Sequence, residues 1–257
     1  MGIVLGIDTT ERSCSVSLVS SGSSLAQRMS FDTVATEQAL ALIFDTLRDA
    51  EVGLERVSKI AVAVGPGSFT GIRSGVSIAY GLSCGLDGVP VCGVSVLCAR
   101  ALPYRSAASF LIPILTASNT EKFYCIYASN QTNLSHFPQV GMLKIASNEC
   151  LEDCLSTDML KCLKDLNIKT DNPESCFRKI EVDFSASPSC LAEVDFPATL
   201  VAKCAEIVPA STTAISGAFL WKEGAKLLEL LYVKDANAKT LVERQLARCD
   251  QTHNLCP

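Results

Sequence analysis

The sequence predicts an α/β protein built on a mixed sheet, and three observations carry that prediction. The first 30 residues hold three short strand patterns with no helical pattern between them. From Thr36 onward, helical and strand patterns alternate. Hydrophobic residues make up 48% of the 257 and charged residues 19%, ample material for the core of one domain or two lobes.

Ile3 to Ile7 is a continuous apolar run, the mark of a strand buried on both faces. Cys14 to Val19 alternates with period two, and Ser21-Gly22-Ser23 turns the chain into a third strand from Leu25 to Ser30. These three read as an antiparallel meander. Thr36 caps a helix whose Leu40, Ile43, Phe44 and Leu47 follow the i, i+3, i+4, i+7 stripe, and Gly53 ends it. Ile60 to Val64 is a buried strand, Thr70 to Gly85 a helix and Pro90 to Val94 another strand, after which Ser95 caps a short helix to Ala101. Three antiparallel strands followed by strands that alternate with helices demand a mixed sheet, because a parallel return needs a helical crossover. The order is that of a ribonuclease-H-like half.

The first lobe is expected to span 1–103, a second lobe 104–239 and a polar, frayed tail 240–257. In the second lobe Phe110 to Leu115 and Lys122 to Tyr127 pair across Ser118-Asn119-Thr120. Leu151, Leu155, Met159 and Leu163 mark a helix within Ser147 to Leu166. Asn167 to Pro197 reads as strand fragments and loops. Pro197 opens a helix through Val208, and Ala214 to Leu231 shows another helical pattern around Trp221, expected to pack back on the first lobe.

The formal net charge of −5 argues against a broad basic surface for a nucleic-acid backbone. The N-terminal apolar run is too short for a signal peptide, and no run of 18 apolar residues suggests a membrane span. The expected address is the cytosol, with no membrane partner. Thirteen cysteines, an odd number, cannot all pair internally. The groups Cys84, Cys92, Cys98 and Cys150, Cys154, Cys162 contain no C-x-x-C pair, and His136 and His253 are the only imidazoles, so no metal site is expected. Most of the cysteines read as small buried hydrophobes in a reducing compartment.

Asp8-Thr9-Thr10 follows the first strand, where a carboxylate can hold hydrated magnesium and hydroxyls can face a phosphate. An ordinary Asx cap explains the same residues. Gly65-Pro66-Gly67-Ser68-Phe69-Thr70-Gly71 joins a strand to a helix N-terminus, whose N–H groups favour an anion. It lacks both the Gly-Lys-Ser/Thr ending of a P-loop and G-x-G-x-x-G spacing. Arg73 in the first helical turn opposes the helix dipole and suits an external acidic partner or an internal carboxylate. Gly71, Gly75, Ala79 and Ser83 recur every four residues and form a smooth stripe for close helix approach, either to this protein's own sheet or first helix, or to another chain. There is no H-E-x-x-H, no other close histidine pair and no G-x-S-x-G elbow, so no catalytic residue is expected.

The motifs I-D-T-T-x-x-x-C-S-V-S-L at Ile7 to Leu18 and V-G-P-G-S-F-T-G-I-R-S-G at Val64 to Gly75 resemble those of the TsaB (YeaZ) family. The likeness covers about the first 100 residues and returns faintly at Leu231-Tyr232-Val233-Lys234. It implies a two-lobed member of the actin, Hsp70 and sugar-kinase (ASKHA) fold with a degenerate second lobe. The implied role is that of a noncatalytic subunit in bacterial synthesis of threonylcarbamoyladenosine at position 37 of tRNA. The implied partners are the catalytic subunit TsaD, a TsaE-like ATPase and, without TsaD, a second copy of the chain, with tRNA met only through the complex.

In the family the two helices matching Thr36 to Ala50 and Thr70 to Gly85 form the pairing face. The implied interface is Leu40, Ile43, Phe44 and Leu47 on the first helix, with Phe69, Thr70, Gly71, Arg73, Ser74, Gly75, Ile78, Ala79 and Leu82 on the second. On this reading Gly75→Leu would separate the partners and leave the chain folded. No tightly bound cofactor is expected; ATP or ADP with Mg at the partner interface would meet Asp8, Thr9, Thr10, Gly65, Gly67 and Ser68. The chain departs from the family pattern at Ala35, where histidine is usual, and at Val64, where arginine is frequent. Of a D-A-R-x-G-E-x-Y stretch, only the tyrosine, Tyr124, is kept within Ala117 to Tyr124. An independent ATP-dependent phosphotransferase of the same fold is the competing expectation.

Overall fold

In the computed structural model, residues 2–11, 13–31, 38–129, 140–181, 195–207 and 218–221 are described. The apolar run at the start is β1 (Ile3–Asp8), followed by β2 (Cys14–Ser20) and β3 (Ser23–Ser30). β1 pairs antiparallel with β2, and β2 with β3, as the meander requires. Helix α1 (Ala39–Asp49) then leads to β4 (Val57–Ala63), which lies parallel to β1. Helix α2 (Phe69–Gly85) crosses back to β5 (Val91–Val94), parallel to β4, and the short α3 (Val96–Ala101) follows.

A second sheet holds β6 (Phe110–Thr116), β7 (Glu121–Tyr124), the short β8 (Tyr127–Ala128), β9 (Lys144–Ser147) and β10 (Phe177–Glu181), with α4 (Leu151–Asp165) between β9 and β10. The chain ends its described course in α5 (Pro197–Ile207) and β11 (Ala218–Trp221).

The six-stranded sheet runs β11-β5-β4-β1-β2-β3 and the second runs β10-β6-β7-β9. The two repeat one plan. In each, the first strand is flanked by an antiparallel neighbour that carries the third strand and, on its other side, by a parallel fourth strand reached through a helix. This is the ribonuclease-H-like arrangement twice over, the α/β fold of the actin, Hsp70 and sugar-kinase group, and α4 stands in the second sheet where α1 stands in the first.

Alternation along the strands divides the core. Leu5, Ile7, Val16, Leu18, Ile60 and Val62 face α1 and α2, where Ile43, Leu47, Val76 and Ala79 cover them. Complete burial of each large apolar side chain contributes about 1.5–3 kcal/mol, which holds the two helices on the sheet. The opposite face, with Val4, Val19, Ala61, Cys92 and Val94, is covered by α3 and α5 and is continuous with Leu111, Phe123, Tyr127 and Ile180 of the second sheet. A third cluster lies under α4, built on Phe110, Ile112, Tyr124, Leu155 and Met159.

Two expectations change. Ala218–Trp221 is a strand antiparallel to β5, not part of a helix from Ala214 to Leu231. Its backbone takes the open edge of β5, and a four-residue apolar run fits either period. The second helix begins at Phe69, capped by Ser68, whose Oγ accepts the Gly71 N–H at 3.3 Å. Pro197 opens α5 as expected, and that helix packs on β1, β2 and β4 of the first sheet. Gly6 makes room for it, since a Cβ there would collide with the Ala198 carbonyl. Thr36, Ala35, Leu231 to Lys234 and the tail from Thr240 lie outside the described residues. Among the described residues no helix is long and apolar enough to cross a membrane.

Candidate functional site

β1 ends at Asp8, whose carboxylate turns back on its own chain. Oδ1 accepts the Thr10 N–H at 2.9 Å and the Thr10 hydroxyl at 2.6 Å, an Asx-type turn. Asp8 is only 3% exposed, and its Oδ2 is buried with no hydrogen-bond partner among the described residues. Burial pushes the Asp8 carboxyl above the usual carboxylate range, more than the Thr10 hydrogen bonds and the Arg100 charge pull it down. Arg100 is itself buried and forms an ion pair with Glu11, so α3 is tied to the end of this turn. The neighbouring Cys14 thiol is pushed up to about 12, by burial first and by the Asp8 charge second.

The turn is fastened to the start of α2. The Thr9 hydroxyl donates to the Gly71 carbonyl at 2.7 Å, and the Ser68 N–H donates to the Thr10 carbonyl at 2.6 Å. Gly65 holds the other side of the loop by accepting the Val96 N–H at 2.9 Å. The residues expected to cradle an anion, Asp8, Thr9, Thr10, Gly65, Gly67 and Ser68, therefore do come together. They spend donors on each other: the Ser68 N–H at the helix start points at the Thr10 carbonyl, and a Cβ on Gly67 would collide with that same carbonyl. The geometry is that of a closed internal clasp.

The clasp also explains the small-residue stripe. Gly71, Gly75, Ala79 and Ser83 are all buried, facing the protein's own turn and sheet. A Cβ on Gly71 would sit 3.0 Å from the Thr9 carbonyl carbon and closer still to its oxygen, and one on Gly75 would strike Thr9 Oγ1 and approach Val62 Cγ2 to 3.5 Å. Ser83 donates to the Val89 carbonyl at 2.7 Å. Of the expected interface residues, Gly71, Gly75 and Ala79 on α2 and Ile43 and Leu47 on α1 are thus core: α2 lies over β4 and β1, and α1 over β2 and β3. The expectation that Gly75→Leu would leave the chain folded fails for the same reason.

What remains on the surface is a different set. On α1, Leu40 is 47% and Phe44 55% exposed, one turn apart on a single ridge. On α2, Phe69, Thr70 and Arg73 are exposed, while Ser74, Ile78 and Leu82 are half-buried. The Arg73 guanidinium stacks over the Phe69 ring, 3.8 Å from its centroid, which gives this cation an internal companion at the helix start. Leu42 and Ile78 both pack against Cys14 and Ala39, so the two helices stand side by side. Arg28 fixes α1 from β3, bonding Asp49 at 2.5 and 2.9 Å. Neither that bridge nor the Arg100–Glu11 pair is visible in local sequence patterns, since each joins separate elements. Among the described residues no cluster of His, Cys, Asp and Glu is arranged to hold a metal.

A protein-family model described as TsaD, tRNA N6-adenosine threonylcarbamoyltransferase, matches residues 35–247. A protein of Escherichia coli (strain K12) named tRNA threonylcarbamoyladenosine biosynthesis protein TsaB is 30% identical over 135 residues, 52% of this chain and 58% of that one. A protein of the same name from Haemophilus influenzae is 40% identical over 103 residues, 38% of this chain and 41% of that one. The chain spans about half the length of the curated relatives it matches. Among solved structures, YeaZ from Pseudomonas aeruginosa is 29% identical, with 58% of this chain and 68% of that chain covered and a TM-score of 0.48. The chain belongs to the family of that model, and its relatives group it with the TsaB proteins.

Proposed function

We propose that the chain serves in tRNA threonylcarbamoyladenosine biosynthesis as a noncatalytic subunit that docks a TsaD-like transferase through the outer ridges of α1 and α2. The observation that carries this reading is the pair Leu40 and Phe44, two large apolar side chains left about half exposed on a helix whose inner face is fully packed. Phe69 and Arg73 extend the patch at the start of the neighbouring helix, and an aromatic ring with an arginine on it is typical of an interface anchor. The names of the relatives supply the pathway. On this reading the chain works in the cytosol, a TsaE-like ATPase joins the pair, tRNA is met through the complex, and a second copy covers the same ridges when the transferase is absent.

An independent phosphotransferase has less support. The helix start that would receive a phosphate already bonds Thr10, and ATP or ADP with Mg at the partner interface would have to open that clasp. The test is coelution of the full chain with the TsaD-like subunit encoded by the same genome. Phe44→Asp and Arg73→Glu should each abolish coelution while the unfolding midpoint of the isolated chain stays where it was. Coelution that survives both substitutions would overturn the docking face.

A further inference from the structure

The described residues carry a second exposed apolar group away from α1 and α2, on α4 and the segment after it. Leu160 is 57% and Ile168 40% exposed. They line a groove of about 740 Å³ together with Leu163, Lys161, Lys164 and Lys169. The inner face of α4 is spent on the second sheet through Leu155, Met159 and Leu163, so the groove belongs to its outer face.

That outer face is ordered by charge. At 100° per residue, Asp153, Thr157, Leu160 and Lys164 fall in one narrow stripe, flanked by Ser156 and Lys161, and all six are exposed. Acid stands at the N-terminal end, the apolar side chain near the middle and base at the C-terminal end. Asp153, Lys161 and Lys164 have no ion pair among the described residues, whereas the adjacent Glu152 is engaged by Lys179. The helix's own dipole accounts for acid at its start and base at its end. It does not account for a leucine left more than half exposed between them.

We propose that this stripe is a self-complementary surface that pairs α4 antiparallel with α4 of a second copy of the chain. A two-fold axis between Thr157 and Leu160 brings each Asp153 opposite the other copy's Lys164 and each Leu160 opposite Thr157. An isologous contact requires this reciprocity. The groove at the basic half of one α4 then receives the acidic half of the other. A helix of 15 residues is about 22 Å long and presents less than the roughly 800 Å² per partner of a standard interface, so the association is weak and salt-sensitive. It is independent of the α1 and α2 ridges, which lie on the first sheet.

The test is sedimentation equilibrium of the full chain carrying Phe44→Asp, which removes any pairing through the α1 and α2 ridges, from about 1 to 300 µM, at low and high salt. In that background the chain should dimerise reversibly and more weakly at high salt. Lys164→Glu and Asp153→Lys should each weaken self-association at least about tenfold by placing like charges opposite one another. An equimolar mixture of the two variants should associate again, because Asp153 then meets Lys164 and the introduced charges meet each other. Circular dichroism checks that each variant is folded. In the Phe44→Asp background, a chain monomeric throughout, a dimer indifferent to both substitutions, or a mixture no stronger than its components would each overturn the proposal.

Discussion

Replacing Gly71 by alanine should destabilise the chain, while the same change at Gly81 on the same helix should stabilise it. A Cβ at Gly71 falls 3.0 Å from the Thr9 carbonyl carbon, with the oxygen nearer still, whereas an ordinary contact between carbons needs about 3.5–4.0 Å. Both obstructing atoms are backbone, so no rotamer relieves the clash and the start of α2 has to retreat. That retreat stretches the Thr9 hydroxyl bond to Gly71, now 2.7 Å, and the Ser68 bond to Thr10, now 2.6 Å. Two lost hydrogen bonds cost about 1 kcal/mol each and overpacking about 1–3 kcal/mol, offset by about 1 kcal/mol of helix propensity. The net loss is about 2–4 kcal/mol. At Gly81 nothing lies within 4 Å of the added Cβ, so the propensity gain of up to about 1 kcal/mol stands alone. Urea unfolding followed by far-UV circular dichroism measures both. Equal midpoints for the two variants would refute the clasp.

Asp8 provides a pH test. Its raised pKa means the folded chain binds more protons than the unfolded chain between the ordinary carboxylate value and the raised one, so stability falls as pH rises through that window. The difference in unfolding free energy between wild type and Asp8→Asn should therefore shrink, or turn in the variant's favour, from about pH 4 to 8; a difference constant with pH would contradict it. Tyr124 donates to Asp158 at 2.8 Å, and Asp158 also holds Lys144 at 2.6 Å. Because that second partner remains, Tyr124→Phe should cost only about 1 kcal/mol in the same unfolding assay. Native alkylation at mildly alkaline pH, read by peptide mass spectrometry, should label Cys84 and Cys150 first among the described cysteines, since both are exposed. Cys92 and Cys125, buried and pushed up to about 12, should react only on unfolding, and early labelling of either would contradict their burial.

Much of the first sheet was legible because its elements are short and strongly patterned. The run Ile3–Ile7, the alternation Cys14–Val19 and the stripe Leu40, Ile43, Phe44, Leu47 each matched one period and one length, and each became the expected element. The helix expected around Trp221 failed because Ala218–Trp221 carries no period of its own, and the open edge of β5 decided its form. The repeated strand order of the second sheet was hidden for a related reason: topology is written in pairings, and the two halves share no visible sequence repeat.

The candidate site divides the same way. The sequence by itself determined that Gly71, Gly75, Ala79 and Ser83 share one face of a helix and that this face must meet something closely, because a 3.6-residue period fixes angles around an axis. It could not name the neighbour, since spacing within one element carries no information about what stands beside it. Tertiary structure alone turned that face onto Thr9 and β4, closed the phosphate-like loop on Thr10, and left Leu40, Phe44, Phe69 and Arg73 outside. The physical reason is packing: the apolar sheet face takes the small-residue side of α2 and the Ile43 and Leu47 side of α1, and the opposite ridges stay exposed.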